Sequence, residues 1–133
     1  PLEGTVFISV KDRDKAAVSL VARRLAAMGF RLLATFGTCA ALRDVGLEGV
    51  WVNKVLQGRP HCVDAIISGE VQMVINTTEG MQARADSFSI RREAVAHAVP
   101  YYTTIAGADA AVGAIEALRA GVLEVAPLQS YFK

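Results

Sequence analysis

Cysteine is scarce. The chain has only Cys39 and Cys62, with no CxxC pair and no histidine at ligand spacing from either. That excludes a disulfide scaffold and argues against a zinc site. It leaves two thiols of the kind that stay buried and free in a reducing cytoplasm, where the protein is expected. His61 beside Cys62 suggests a nucleophile and its base, but sequence neighbours rarely align for catalysis, and a loop histidine before a helix is expected to be structural. No excess of charge is present either. Lys plus Arg number 14 and Asp plus Glu 13, a net +1, so there is no electrostatic case for nucleic acid or an anionic membrane. No apolar run nears the roughly 18 residues of a membrane-spanning helix. No signal peptide is read, since PLEGTVFISV goes straight into a strand. No Ser/Pro/Gly-rich linker and no internal repeat divides the chain, so residues 1–133 are expected to form one domain. The start at Pro1 suggests a piece of a longer chain or a processed product.

What is present is enough apolar material for a core, at 53% of residues. TVFISV (5–10), RLLAT (31–35), GVWVNKV (49–55), VQMVIN (71–76) and YYTT (101–104) read as short strands rich in β-branched and aromatic residues. Between them lie helical patterns. Ala17, Val18, Val21, Leu25 and Met28 recur at helical spacing before Gly29. A short helix is predicted over Thr38–Val45, closed by Gly46, and another over 62–69, closed by Gly69. TTEGMQARADS reads as a polar loop. Asp86, Ser87 or Ser89 then caps a helix whose face is Ile90, Ala94, Val95 and Ala98. Ala111, Val112, Ile115 and Leu118 mark a last helix stopped at Gly121. Five strand–helix alternations predict an α/β fold of three layers, with a five-stranded parallel sheet between helices.

In open sheets of this kind ligands bind beyond the carboxyl ends of the strands. Those ends carry Ser9 with Lys11 and Lys15 behind it, Thr35 with Gly37 and Thr38, Asn53 and Lys54, Asn76 with Thr77 and Thr78, and Thr103 with Thr104. A helix opening behind Thr38 adds free N–H groups and a partial positive charge, and Gly37 lets a ligand approach the backbone. The set suits a phosphorylated small molecule. Taken alone, Thr-x-Gly-Thr is also the pattern of a capped turn, and Lys15 could be merely solvated. Trp51, the only tryptophan, reads either as a reporter of binding or as a core residue.

ATFGTCAAL, VNKVLQGRPHCVD, VINTTEG and ADSFSIRREAV, in this order from Gly4 to the tail, resemble the methylglyoxal-synthase-like domain. More narrowly, they resemble the C-terminal regulatory domain of carbamoyl-phosphate synthase large subunits. The resemblance implies a flavodoxin-like fold and a domain without catalysis or cofactor of its own. Its longer chain would use ATP, Mg and bicarbonate, work with a glutaminase small subunit, and supply pyrimidine and arginine synthesis. It implies a nucleotide effector of the UMP or IMP type. The phosphate would meet Lys15, Thr35, Gly37, Thr38 and Lys54; Ser9, Asn76, Thr77, Thr78 and Asp86 would surround the ribose and base. Ordering of the 54–61 and 77–86 loops would then inform the catalytic domains.

Two departures from that pattern matter. Phe36 stands where the family often has His in T-H-G-T, and is read as packing. Tyr102 stands where ornithine-activated members have Asp, which removes a partner for ornithine's amino group. Methylglyoxal synthase itself is the alternative reading. That enzyme needs a carboxylate base, and Pro60 holds the matching position here, with Asp64 and Glu79 read as solvated or capping. A cyclohydrolase domain shares Thr-x-Gly-Thr, but its Lys-Thr-Leu-His-Pro signature is missing.

Overall fold

The computed structural model describes residues 2–52, 62–78 and 81–132, with 81–86 and 122–132 as backbone only. Five parallel strands form one sheet: β1 (Thr5–Ser9), β2 (Arg31–Ala34), β3 (Gly49–Trp51), β4 (Met73–Asn76) and β5 (Tyr101–Tyr102). Their order is β3-β2-β1-β4-β5. The chain therefore steps one way from β1 to β3 and then returns past β1 to β4. That reversal at β1 and β4 opens the crevice where such sheets take ligands.

The period-2 alternation of the strands divides the core. Val6, Ile8, Leu32, Ala34, Met73 and Ile75 face α1 (Lys15–Ala27), α2 (Phe36–Asp44) and α5 (Ile105–Phe132), packing on Val18, Leu25, Leu42 and Val112. Phe7 and Val74 face the other way, onto Cys62, Ile66, Ile90 and Ala94 of α3 (Cys62–Ile67) and α4 (Met81–Ala96). Each such side chain, fully buried, contributes about 1.5–3 kcal/mol of transfer free energy. Both cysteines are buried and neither forms a disulfide. On the outer face Arg24 of α1 pairs with Asp109 and, at 2.5 Å, with Glu116 of α5. The hydrogen bond from Arg24 holds the Glu116 carboxyl below its ordinary range. No described helix is long and apolar enough to cross a membrane.

Several boundaries differ from those expected. Helix α2 starts at Phe36, two residues before Thr38, because Thr35 already stands in extended conformation as its first flanking residue. The stretch expected as a polar loop after β4 is helical from Met81 onward, so Asp86, Ser87 and Ser89 lie within α4 and none is its cap. Helix propensity in Met-Gln-Ala-Arg-Ala outweighed the polar character that suggested a loop. Val95 is exposed while Ile90 and Ala94 are buried, so the apolar stripe of α4 is narrower than the sequence suggested. On α5, Val112 and Ile115 are buried and Leu118 is exposed, and the helix continues through Gly121. Glycine lowers helix propensity without forbidding a helix.

Candidate functional site

At the carboxyl edge of β1 the backbone and four hydroxyls interlock. Thr77 N–H donates to the Ser9 carbonyl at 3.0 Å, and Lys11 N–H donates to Thr77 Oγ1 at 3.1 Å. Val10 N–H donates to Thr38 Oγ1 at 3.1 Å, and Thr35 Oγ1 donates to Ser9 Oγ at 3.0 Å. Thr35, Thr38, Asn76 and Thr77 are all buried, and Ser9 and Thr78 are half-buried. Both threonine hydroxyls thus reach back to the β1 segment. Neither makes a capped turn: Thr35 gives α2 no side-chain cap, and the first intrahelical bond runs from Cys39 N to Thr35 O at 2.8 Å. The N–H groups of Phe36, Gly37 and Thr38 precede that bond, so the helix itself supplies them with no partner.

Lys15, the first residue of α1, reaches across to that bare turn. A Cβ built on Gly37 would lie 2.9 Å from Lys15 Nζ. The ammonium thus stands at the positive ends of two helices together, an arrangement that disfavours a cation and favours an anion between them. Its counter-ion is Asp12, in the single 3-10 turn (Asp12–Asp14) that joins β1 to α1. Lys11 and Asp14 pair at 3.8 Å in the same turn.

Asn76 closes β4 beneath the site. Its amide nitrogen bridges Ser87 Oγ at 2.9 Å and Tyr101 Oη at 2.8 Å, tying β4 to α4 and β5. Seven of the expected residues therefore converge on the β1–β4 edge: Ser9, Lys15, Thr35, Gly37, Thr38, Asn76 and Thr77. Thr78 follows directly after them. Lys54 and the side chain of Asp86 lie outside the described residues, as do His61, Pro60 and Glu79. Tyr101 and Asp12 were not singled out from the sequence. The Tyr101 contact spans 25 residues and two strands, so no local pattern carries it. The i,i+3 spacing of Asp12 and Lys15 is a local signal that could have found the ion pair.

Two aromatic side chains stand beside the site. Phe36 is 61% exposed and Trp51 57% exposed, with ring centroids 5.8 Å apart and planes tilted by 58°. Trp51 is therefore not the core residue that one reading allowed, and Phe36 packs on its neighbour rather than inward. A cavity of about 80 Å³ lies between them and Cys39, Ala40 and Arg43. A larger hollow, about 460 Å³, sits at the opposite end of the sheet, among Ile66, Val71, Gln72, His97 and Pro100.

Residues 17–103 match the family model of the MGS-like domain. The chain is 57% identical over 131 residues to the carbamoyl phosphate synthase large chain of Myxococcus xanthus (strain DK1622), covering 98% of this chain and 12% of that protein. It is 54% identical over its whole length to the same protein of Rhizobium meliloti (strain 1021), covering 11% of it. The carbamoyl phosphate synthase large chain, C-terminal section, of Methanopyrus kandleri is 54% identical over 120 residues, which are 90% of this chain and 22% of that protein. The chain thus spans about a ninth of the first two relatives' length. Among solved structures, methylglyoxal synthase from Elizabethkingia anophelis NUHP1 superposes with a TM-score of 0.67 at 22% identity, over 84% of this chain and 78% of that one, a likeness of fold. With the model matched from the first helix to the fifth strand, the chain belongs to the MGS-like domain family.

Proposed function

We propose that this domain binds a nucleoside monophosphate of the UMP or IMP type at the carboxyl edge of its sheet. There it regulates, without catalysis of its own, a carbamoyl-phosphate synthase large chain. One observation carries the reading: the Lys15 ammonium stands over Gly37 in the first turn of α2, a turn with no side-chain cap. A phosphate placed there neutralises the cation and takes up free N–H groups of the turn. Lys54 is assigned to the same phosphate from the motif V-N-K-V. Asn76, Thr77, Thr78 and Asp86 are assigned to the ribose and base. In the longer chain the effector would tune synthesis of carbamoyl phosphate, which needs ATP, Mg and bicarbonate and a glutaminase partner. Such tuning requires only that the ligand favour one arrangement of the assembly over another.

Calorimetric titration of UMP into the chain and into its Lys15→Ala and Lys54→Ala forms tests this. Saturable binding to the parent, weakened in both variants, supports it. Equal affinity in all three removes the lysines from the site. The lyase alternative has its own test: dihydroxyacetone phosphate incubated with the chain should yield no methylglyoxal, and turnover would refute the purely regulatory reading.

A further inference from the structure

The structure assigns to Tyr101 the positioning of the Asn76 amide, whose bare carbonyl oxygen then selects a hydrogen-donating group of the nucleotide. The assignment rests on the nucleotide-binding reading given above and adds to it a residue outside the expected ligand set. Asn76 closes β4 at the carboxyl edge, in register with Ser9 of β1. It is only 4% exposed, so its amide must find partners within the protein or on a ligand. Its Nδ2 donates to Ser87 Oγ at 2.9 Å and to Tyr101 Oη at 2.8 Å, which uses both N–H groups. Those N–H bonds lie in the amide plane, so the two acceptors together set that plane and, with it, the place of the oxygen. Oδ1 itself has no hydrogen-bond partner among the described residues. A buried acceptor left bare carries an uncompensated desolvation cost, which a ligand donor removes.

The two hydroxyls that hold the amide are not equivalent. Ser87 has a further interaction of its own. Tyr101 opens β5, and its half-buried ring packs against the cluster that holds Phe7, Val74, Ile90 and Ala94. Replacing it by phenylalanine removes the hydroxyl and leaves a ring for that cluster. One N–H of Asn76 then loses its acceptor, and the amide is free to turn its oxygen away from the ligand. A nucleoside monophosphate offers two kinds of donor to a bare carbonyl. One is a ribose hydroxyl. The other is the imide N–H of uracil or hypoxanthine, at a position where cytosine has an acceptor.

The test is a calorimetric series with the parent, Tyr101→Phe, Asn76→Ala and the double variant. Each is titrated with UMP, its 2′-deoxy and 3′-deoxy forms, CMP and inorganic phosphate. In the parent, one of the three analogues should bind about three- to ten-fold more weakly than UMP, the worth of one neutral hydrogen bond. Which analogue is weakened tells the ribose hydroxyl from the imide N–H. Tyr101→Phe and Asn76→Ala should each lose most of UMP's advantage over that analogue while holding phosphate as the parent does. In the Asn76→Ala background the tyrosine change should cost nothing further, since its effect runs through the amide. Equal binding of all four nucleotides by the parent overturns the assignment. So does an advantage that survives Tyr101→Phe, an equal weakening of every ligand with phosphate included, or additive losses in the double variant. Each of those results leaves the phosphate site standing. Absence of UMP binding to the parent overturns the nucleotide reading and this assignment with it.

Discussion

The two ends of the sheet solve the same problem, how a helix meets a strand, in different ways. At the opposite end from the candidate site, α1, α2 and α3 each close on a glycine with positive φ, Gly29, Gly46 and Gly69. In each, the next N–H returns to the last helical turn: Phe30 to Leu25 at 3.1 Å, Leu47 to Leu42 at 3.0 Å, Glu70 to Ala65 at 3.0 Å. Helix α4 closes in the same way, Val99 to Ala94 at 2.7 Å, but with Ala98 at φ 55°. The polar groups there are consumed by the helices' own ends. At the carboxyl edge the hydroxyls are spent between elements instead, and the first turn of α2 is left without a side-chain cap. One end is built for closure. The other holds donors in reserve, and a reserve of donors is what a binding site needs.

Four substitutions probe that contrast. Thr38→Val should have the largest effect, because it leaves the buried Val10 N–H without its acceptor. A loss of about 1–3 kcal/mol is expected in urea unfolding. Gly37→Ala should separate binding from stability. The new methyl displaces the flexible tip of Lys15, so UMP binding should fall by about ten-fold, the worth of one charge-assisted bond. The fold should be no weaker, since alanine is the better helix former by up to about 1 kcal/mol. At the closing end, Ala98→Gly should stabilise by about 1 kcal/mol by relieving its left-handed backbone, without altering UMP affinity; paired thermal unfolding and titration check both.

The smallest effect is expected at the outer face. The Glu116 carboxyl is held low in the folded chain by Arg24. A carboxyl depressed on folding stabilises above its unfolded value and loses that contribution as pH falls through the folded one. Glu116→Gln should therefore cost a little stability at neutral pH and converge with the parent in acid, flattening the acid limb of the stability–pH curve. An unaltered acid limb would show that the pair contributes nothing to folding.

The alternation of strands and helices was legible because Val, Ile and Leu runs such as VFIS and MVIN are short and bounded by turn residues. The glycine stops at 29, 46 and 69 were legible for a steric reason, since the positive φ of those turns favours glycine. Gly121 shows the limit of that rule: without a turn to make, it stays inside α5. The start of α4 was hidden because its first turns carry no apolar stripe to count, only propensity. At the site, residue types at strand ends named residues that the structure brings together, since parallel topology gathers all carboxyl ends on one edge. What they could not give is direction. Thr35 and Thr38 turn to Ser9 and Val10 through contacts set by the β1–β2 register, which local sequence does not encode. The exposure of Phe36 and Trp51 was hidden for a related reason: β3 lies at the edge of the sheet, and its place in the strand order is a tertiary fact.

Amide shift mapping with UMP tests the division of labour between the two ends most directly. The account predicts concentration-dependent shifts in the amides of Val10, Lys11, Gly37, Thr38 and Thr77, with Gly29, Gly46, Gly69 and Ala98 unmoved. Shifts gathered around Gly69, His97 and Ala98 instead, or none at all at saturating nucleotide, would contradict it.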